Sequence, residues 1–129
     1  MPAKKQKTIQ SYADAAAVFA TAKRGDSKRL HKNCRLHRVG ENYVVRYYYT
    51  DIVTYYPDGT FTLNCGGWPT MSTRDWIEAT APAFIRQKNR KWEILLEGFG
   101  TWQPFVNGTR YRSTDGTRST LTVVEPAAV

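Results

Sequence analysis

The sequence is poor in cysteine and in long apolar runs, and each shortage excludes a class of protein. Its two cysteines, Cys34 and Cys65, are too few for the disulfide framework of a small secreted domain. No stretch approaches the roughly 20 consecutive apolar residues that span a bilayer. The lysines near the start lead into polar residues, which is not the pattern of a signal peptide. We therefore expect a cytoplasmic protein with reduced thiols and no membrane partner.

Acidic residues are also scarce relative to basic ones. Nineteen lysines and arginines face eleven aspartates and glutamates, which gives a formal net charge of +8 and a pI near 9.7. A cationic surface raises the local concentration of anionic partners. The charge balance therefore favours nucleic acid as the partner, although a basic surface also serves solubility alone.

The carboxylates that are present do not indicate an enzyme. A magnesium-dependent nuclease needs at least two converging acids, whereas Asp58 fits a turn and Asp75 and Glu78 fit the start of a short helix. Asp51 alone is unexplained in its strand and requires a partner such as Arg46. The glycines lack the arrangement of a phosphate-binding loop. We expect neither catalysis nor a cofactor.

The length and the residue patterns predict one domain of mixed structure. Residues 1–10 are expected to be a flexible basic arm, residues 11–124 the globular domain and residues 125–129 a tail. The predicted class is α+β and β-rich, with a twisted antiparallel sheet of about five or six strands and two short flanking helices. Ser11 is the expected N-cap of the first helix, which Gly25 ends, and Ser72 or Thr73 is the expected cap of the second.

The strands are predicted from alternation and turn chemistry. Residues 26–33 are polar and basic, and residues 34–39 alternate as in a strand. Residues 43–56 form a long run rich in Tyr, Val, Ile and Thr, with a bulge or break at Thr50-Asp51. Pro57-Asp58-Gly59 predicts a hairpin turn that leads into a second arm over 60–64. A further hairpin is expected over 84–96 and a turn at Asn107-Gly108, with an edge strand over 121–124.

One central stretch carries a resemblance. It contains Asp51-Ile52-Val53-Thr54, Pro57-Asp58-Gly59-Thr60, Thr62-Leu63-Asn64-Cys65-Gly66-Gly67-Trp68, Thr70 and Ser72-Thr73. With these residues, the segment from Arg35 to Thr73 resembles a group of small bacteriophage and prophage proteins of unassigned function. The resemblance implies a phage origin, a compact β-rich module and a location inside the host cell. It implies no catalytic residue.

Two clusters of basic residues are the first candidates for a binding site. Lys and Arg contacts to phosphates supply most of the non-specific affinity for nucleic acid. The alternative is that both clusters are solvated loops. The first cluster comprises Lys23, Arg24, Lys28, Arg29, Lys32, Arg35 and Arg38, and the second comprises Arg86, Lys88, Arg90 and Lys91.

The aromatic run adds a second element to the predicted site. Strand alternation would place Tyr47 and Tyr49 on one face and Arg46 and Tyr48 on the other. A face that displays Arg and Tyr suits the stacking and neutralisation of a single strand. Tyrosines on a sheet also serve as half-buried cover, so the pattern is informative only together with the charge.

A zinc site is a weaker hypothesis. His31, Cys34, His37 and Cys65 could supply a tetrahedral set of two His and two Cys. Their spacing matches no standard ligand pattern, and a strand over 34–37 would place Cys34 and His37 on opposite faces. We therefore expect no metal.

Together these features predict a small phage-encoded accessory protein that binds nucleic acid through basic loops and sheet-borne aromatics. The alternative is a protein-interaction module that inhibits or redirects a host factor, for example a defence nuclease such as a CRISPR effector, or a polymerase subunit. An exposed, tyrosine-rich strand edge would also allow a homodimer by strand addition.

Overall fold

Ten strands and two helices form the described part of the molecule. A computed structural model of the chain describes residues 9–22, 25, 27–67, 69–96, 101–113 and 121–126. The elements are α1 (Tyr12–Phe19), β1 (Ser27–His31), β2 (Cys34–Val39), β3 (Asn42–Tyr47), β4 (Thr50–Tyr55), β5 (Phe61–Leu63), α2 (Met71–Thr80), β6 (Ile85–Lys88), β7 (Lys91–Leu96), β8 (Thr101–Pro104), β9 (Arg110–Ser113) and β10 (Leu121–Glu125).

The strands form two antiparallel sheets. The larger has seven strands in the order β1-β2-β3-β4-β5-β9-β10, and the smaller has three in the order β6-β7-β8. The predicted β-rich α+β class with two helices is confirmed, but the expected five or six strands in one sheet are wrong. The turn predicted at Asn107-Gly108 is confirmed, with the Thr109 amide donating to the Val106 carbonyl at 3.3 Å. The strands on either side of it, β8 and β9, belong to different sheets. The edge strand expected over 121–124 is confirmed as β10.

The basic segment before Cys34 contributes a strand that its composition did not indicate. Residues Ser27–His31 pair with β2 and form one edge of the larger sheet. An edge strand tolerates polar and charged side chains on both faces, because only one of its sides is hydrogen-bonded to a neighbour. Alternation of apolar and polar residues is therefore not required for it to form.

The aromatic run over 43–56 is two strands and not one. It turns at Tyr48 and Tyr49, which link Tyr47 to Thr50 in the pairing of β3 with β4. No glycine, proline, asparagine or aspartate marks this turn. The predicted irregularity near Asp51 is confirmed, since the pairing register shifts between Val45 and Arg46 opposite that residue.

The Pro57-Asp58-Gly59 turn forms as predicted. Strands β4 and β5 pair on either side of it. The Gly59 amide donates to the Tyr56 carbonyl at 3.0 Å, and Gly59 adopts a φ of +88°. The Asp58 carboxylate accepts from both the amide and the hydroxyl of Thr60, at 2.9 and 2.6 Å. These bonds hold the pKa of Asp58 below its ordinary value.

The helices differ from expectation only at their ends. Ser11 caps α1 as predicted, accepting from the Asp14 amide at 3.0 Å, but the helix ends at Phe19, well before Gly25. Thr70 caps α2 in place of Ser72 or Thr73, and its hydroxyl accepts from the Thr73 amide at 3.2 Å. Among the described residues, neither helix has the length and apolar character needed to cross a membrane.

One face of the larger sheet carries the core. Tyr12 and Phe19 of α1 lie against Tyr43, while Trp76 of α2 lies against Tyr47. The smaller sheet contributes its own buried side chains to the same cluster. We call the opposite face of strands β1–β4 the open face. It carries the exposed side chains of Arg29, Arg35 and Asp51.

The start of the described chain belongs to this core. Ile9 is fully buried and Gln10 donates through its side chain to the Ile9 carbonyl. Ile9 and Gln10, the last two residues of the expected arm, thus contact the core, and residues 1–8 of that arm lie outside the described residues. At the other end, Glu125 is the last residue of β10.

Candidate functional site

A row of arginines crosses the open face. The register of β1–β3 places Arg29 opposite Arg35, and Arg35 opposite Arg46. In the next pair, Arg46 lies opposite Asp51 of β4. Residues that are directly opposite on neighbouring strands point to the same face. Three guanidinium groups therefore share one row, with a single carboxylate at its end.

Asp51 is the counterion of Arg46. The Arg46 Nε donates to Asp51 Oδ1 at 2.6 Å, and this bond raises the pKa of Arg46 above its ordinary value. Both side chains are substantially exposed, at 39% and 47%, so the pair contributes at most about 1 kcal/mol to stability. The carboxylate that the sequence left unexplained thus has the partner that was expected for it.

The other two arginines of the row have no such partner. The Arg35 Nε donates to the Ser27 hydroxyl at 3.0 Å. Within the described ranges, no carboxylate forms an ion pair with Arg29 or Arg35. Like charges directly opposite on adjacent strands are destabilising. The row is therefore not explained by the stability of the fold.

A groove runs beside this row. It has a volume of about 380 Å³ and is lined by Lys32, Asn33, Arg35, His37, Arg46, Tyr48 and Tyr49. We call it the basic groove. The Asn33 side-chain amide donates to the Tyr48 hydroxyl at 3.1 Å, and the Tyr48 amide donates to the Asn33 carbonyl at 2.8 Å. These two bonds fix the β1–β2 and β3–β4 turns side by side at one end of the groove.

The tyrosine turn is exposed and strained. Tyr49 is 98% exposed, and Tyr48 is 58% exposed with a φ of +54°. A left-handed conformation is unusual for a bulky side chain and costs about 1–3 kcal/mol. The bonds to Asn33 and an edge contact with the Tyr47 ring, at a centroid distance of 4.7 Å, hold Tyr48 in this conformation. Strain of this kind is concentrated at functional sites in proteins.

A second groove lies on the other side of the same turn. Its volume is about 440 Å³, and we call it the neutral groove because none of the described residues that line it is charged. Its lining residues are Tyr47, Tyr48, Tyr49, Thr50, Cys65, Thr70, Ser72 and Thr73. The two tyrosines of the turn thus separate a charged groove from an uncharged one.

The second basic cluster lies on the smaller sheet. Asn89 and Arg90 form the β6–β7 turn with φ values of +53° and +64°. Arg90 and Lys91 line a cavity of about 360 Å³ together with Trp92, whose buried Nε1 has no hydrogen-bond acceptor among the described residues. This cavity also contacts Cys65, which lines the neutral groove. Arg90 and Lys91 form a second cationic patch, beside the cavity that shares Cys65 with the neutral groove.

The remaining members of this cluster are placed differently. Arg86 is bound within the sheet, with a bond of 2.7 Å from its Nε to Glu93 and its guanidinium 4.4 Å from the Trp102 ring. Lys88 is exposed at the end of β6. Of the four residues predicted there, Arg90 and Lys91 are therefore the ones that line a cavity.

The first basic cluster is divided between the two faces of the sheet. Arg29 and Arg35 lie on the open face and Lys32 lines the basic groove. Lys28 pairs with Leu36, and Arg38 pairs with Tyr43, so both share the face that carries the core. Lys23 and Arg24 lie outside the described residues. The structure thus brings Arg29, Lys32, Arg35, Arg46 and Tyr48 together and separates Lys28 and Arg38 from them.

The four zinc-ligand candidates do not converge. Cys34 is buried on the core face, His37 lines the basic groove on the open face, and the His31 ring lies 5.6 Å from that of Trp76. Burial raises the pKa of Cys34 to about 12, so its thiol stays protonated. In the part of the chain that the structure describes, no group of three His, Cys, Asp or Glu residues is placed to hold a metal ion.

Three residues of the site were not among the predicted binding residues. Tyr49, Asn33 and His37 line the basic groove. Alternation assigned Tyr49 to the face of Tyr47, because the turn at Tyr48 and Tyr49 has none of the usual turn residues. His37 was considered only as a metal ligand. One signal in the sequence was the run of three consecutive tyrosines. A strand alternates buried and exposed positions, and three large aromatic residues in succession do not follow that alternation.

Comparisons of this chain with protein-family models, with curated proteins and with solved structures find no match. The resemblance to phage proteins stays a prediction. The function is therefore argued from the geometry and charge of the open face.

Proposed function

We propose that the protein is a small phage-encoded accessory protein that binds nucleic acid on its open face. The observation that carries the proposal is the arginine row of Arg29, Arg35 and Arg46 beside the basic groove. The row provides the contacts to phosphates, and Lys32 extends the same charge into the groove. Phosphate contacts of this type supply the sequence-independent part of nucleic-acid affinity.

The energetics of the row support an anionic partner. Placing three arginines side by side with one carboxylate destabilises the sheet, because each cation is repelled by its neighbour. A bound phosphate removes this repulsion and accepts paired hydrogen bonds from guanidinium groups. The loss of stability in the free protein is then compensated when the ligand binds.

The shape of the site favours a polymer over a small anion. Adjacent strands lie about 4.8 Å apart, so an arginine on each of three strands spans about 10 Å. Successive phosphates of one nucleic-acid strand are separated by about 3.4 Å along the helix axis, so the row can reach more than one phosphate. Two exposed tyrosines at its end, Tyr48 and Tyr49, provide stacking surfaces.

A salt titration tests the proposal. Fluorescein-labelled single-stranded DNA, single-stranded RNA and duplex DNA of about 20 nucleotides are titrated with the protein, and binding is measured by fluorescence anisotropy. Each phosphate contact contributes about 0.7 to the salt slope for a single strand, so four contacts predict a slope of about −2.8. Affinity should then fall about 50-fold between 50 and 200 mM salt. No binding at the lowest salt, or a flat dependence, contradicts the proposal.

The protein-interaction module is the second candidate, and exposed side chains around the tyrosine turn favour it. Tyr48, Tyr49 and Met71 are all more than half exposed, at 58%, 98% and 61%. Tyr and Met are enriched at protein interfaces. A host factor that is inhibited or redirected would contact these side chains. Strands β1 and β10 also leave two sheet edges among the described strands, and dimer formation by strand addition stays a prediction.

A pull-down from host lysate separates the two candidates. The tagged protein is incubated with lysate before and after nuclease treatment. If nucleic acid is the partner, nuclease treatment should abolish capture of any accompanying protein. Capture that survives both nuclease and high salt, and that is lost with Tyr49→Ala, supports the interaction module instead.

A further inference from the structure

The two grooves at the tyrosine turn have opposite chemistry and a common wall. Among the described lining residues, the basic groove has three cationic side chains, those of Lys32, Arg35 and Arg46, whereas the neutral groove has none. Tyr48 and Tyr49 line both. A ligand that crosses the turn therefore passes from a positively charged environment to an uncharged one without leaving the surface of the protein.

The neutral groove is rich in hydroxyl groups. The Tyr47 hydroxyl donates to the Ser72 hydroxyl at 3.1 Å, and the Thr70 hydroxyl lies 3.3 Å from that of Ser72. Thr73 approaches the same group, with 2.9 Å between its hydroxyl oxygen and that of Thr70. Hydroxyl groups both donate and accept. They can therefore bond to the polar edge of a planar, uncharged ligand, and the volume of about 440 Å³ suits a small molecule or part of one.

The Tyr49 ring has no structural role in the described protein. It is 98% exposed and makes no ring contact or hydrogen bond there. Exposed tyrosines next to a cationic groove are typical of surfaces on which bases stack. Because the neighbouring residue Tyr48 is held in a strained conformation, the turn projects Tyr49 at a cost in stability that packing does not explain.

We infer that the neutral groove binds an unpaired nucleobase while the phosphates next to it lie on the basic groove. A nucleotide combines the two chemistries that the grooves display, a charged phosphate and an uncharged planar base. Tyr49 stacks on the base and the hydroxyls of Thr70, Ser72 and Thr73 face its polar edge. This inference rests on the proposed function and specifies its ligand as a single strand, because bases in a duplex are stacked and paired and cannot enter a side groove.

The test compares two oligonucleotides with the same phosphates. One is a thymidine homopolymer of about 20 nucleotides, and the other is an abasic polymer of equal length that lacks every base. Stacking of a single base corresponds to a preference of about 5- to 150-fold. The wild-type protein should prefer the thymidine strand by a ratio in this range. Tyr49→Ala should reduce the ratio to nearly one, whereas Tyr49→Phe, which retains the ring, should preserve it.

The outcomes separate this inference from the function on which it rests. Equal, salt-dependent binding of both polymers would leave the proposed function intact and overturn the base site. Binding of neither polymer and of no duplex DNA would overturn the proposed function itself, whereas binding of duplex DNA alone would overturn only the base site. A preference for thymidine that persists in Tyr49→Ala would overturn the assignment to the neutral groove. Since Tyr49 is almost fully exposed, the variants should unfold at the same temperature as the wild type, which circular dichroism checks.

Discussion

The turns at the two ends of strand β4 differ in how well their residues suit their conformations. At one end, Pro57 and Asp58 precede Gly59, which adopts a φ of +88° that glycine accepts at little cost. At the other end, Tyr48 adopts a φ of +54°, which a bulky side chain rarely does. The first turn follows local preference and the second departs from it.

The arginines near these two turns differ in whether a carboxylate neutralises them. Near Gly59, Arg110 donates to the Thr60 hydroxyl at 2.6 Å and forms an ion pair with Asp58 at 3.3 Å. Its guanidinium also lies 3.8 Å from the centre of the Tyr56 ring. At the tyrosine end, Arg35 has no described carboxylate and faces an arginine on each side.

The comparison teaches where to look for function in this protein. Residues that satisfy local conformational and electrostatic preferences are explained by the fold. Residues that violate these preferences without compensation in the free protein are expected at binding sites. Both kinds of violation, strain and unpaired charge, occur at the tyrosine end of β4.

The largest expected effect is on binding at the tyrosine end. The double variant Arg29→Glu and Arg35→Glu removes two phosphate contacts, so affinity for a single strand should fall about 30-fold at 0.1 M salt. The matched control is the double variant Lys28→Glu and Arg38→Glu. It reverses two charges on the same two strands, but on the core face. It changes the net charge equally and should weaken binding only slightly. Equal losses in both variants would mean that net charge, and not the arginine row, attracts the ligand.

The next effect is on stability at the opposite end. Gly59→Ala places a side chain in the left-handed region, so the free energy of unfolding should fall by about 1–2 kcal/mol. Beyond the two adjacent residues, no described atom lies within 4 Å of the added methyl group, so the loss should come from backbone strain alone. Urea denaturation measures the change. Nucleic-acid affinity should be the same as in the wild type, and a parallel loss of binding would connect this turn to the site.

A smaller effect, a gain in stability, is expected for a single substitution in the arginine row. Arg35→Glu converts two like-charge pairs, with Arg29 and Arg46, into two attractive ones. Cross-strand pairs contribute roughly 0.2–1 kcal/mol each, so the variant should gain up to about 1 kcal/mol of stability in urea while binding more weakly. A variant that loses both stability and affinity would show that Arg35 has a structural role.

The smallest effect is expected at Tyr48. Asparagine tolerates the left-handed conformation, so Tyr48→Asn should relieve strain that offsets the lost contact with the Tyr47 ring. The free energy of unfolding should change by less than about 0.5 kcal/mol. Tyr48→Val removes the same ring but cannot relieve the strain, and it should be less stable than Tyr48→Asn by about 1 kcal/mol or more. Similar stabilities of the two variants in thermal denaturation would argue against strain.

Local signals predicted much of the fold and several residues of the site, but not how those residues come together. The cap at Ser11, the turn at Gly59 and the alternation around Leu36 each depend on neighbouring residues, and the structure has all three. The turn at Tyr48 and Tyr49 is held by Asn33, which is fifteen residues away from Tyr48 in sequence. Such a contact leaves no mark in the local pattern.

The sequence by itself determined the β-rich class, the excess of positive charge and the residue types from which a binding site can be made. Those properties depend on composition and on interactions between near neighbours. Tertiary structure alone decided which cations share a face, because strand register places Arg29, Arg35 and Arg46 in one row and turns Lys28 and Arg38 to the other side. Register is fixed by which side chains must be buried in the core, and that is a property of the whole sheet.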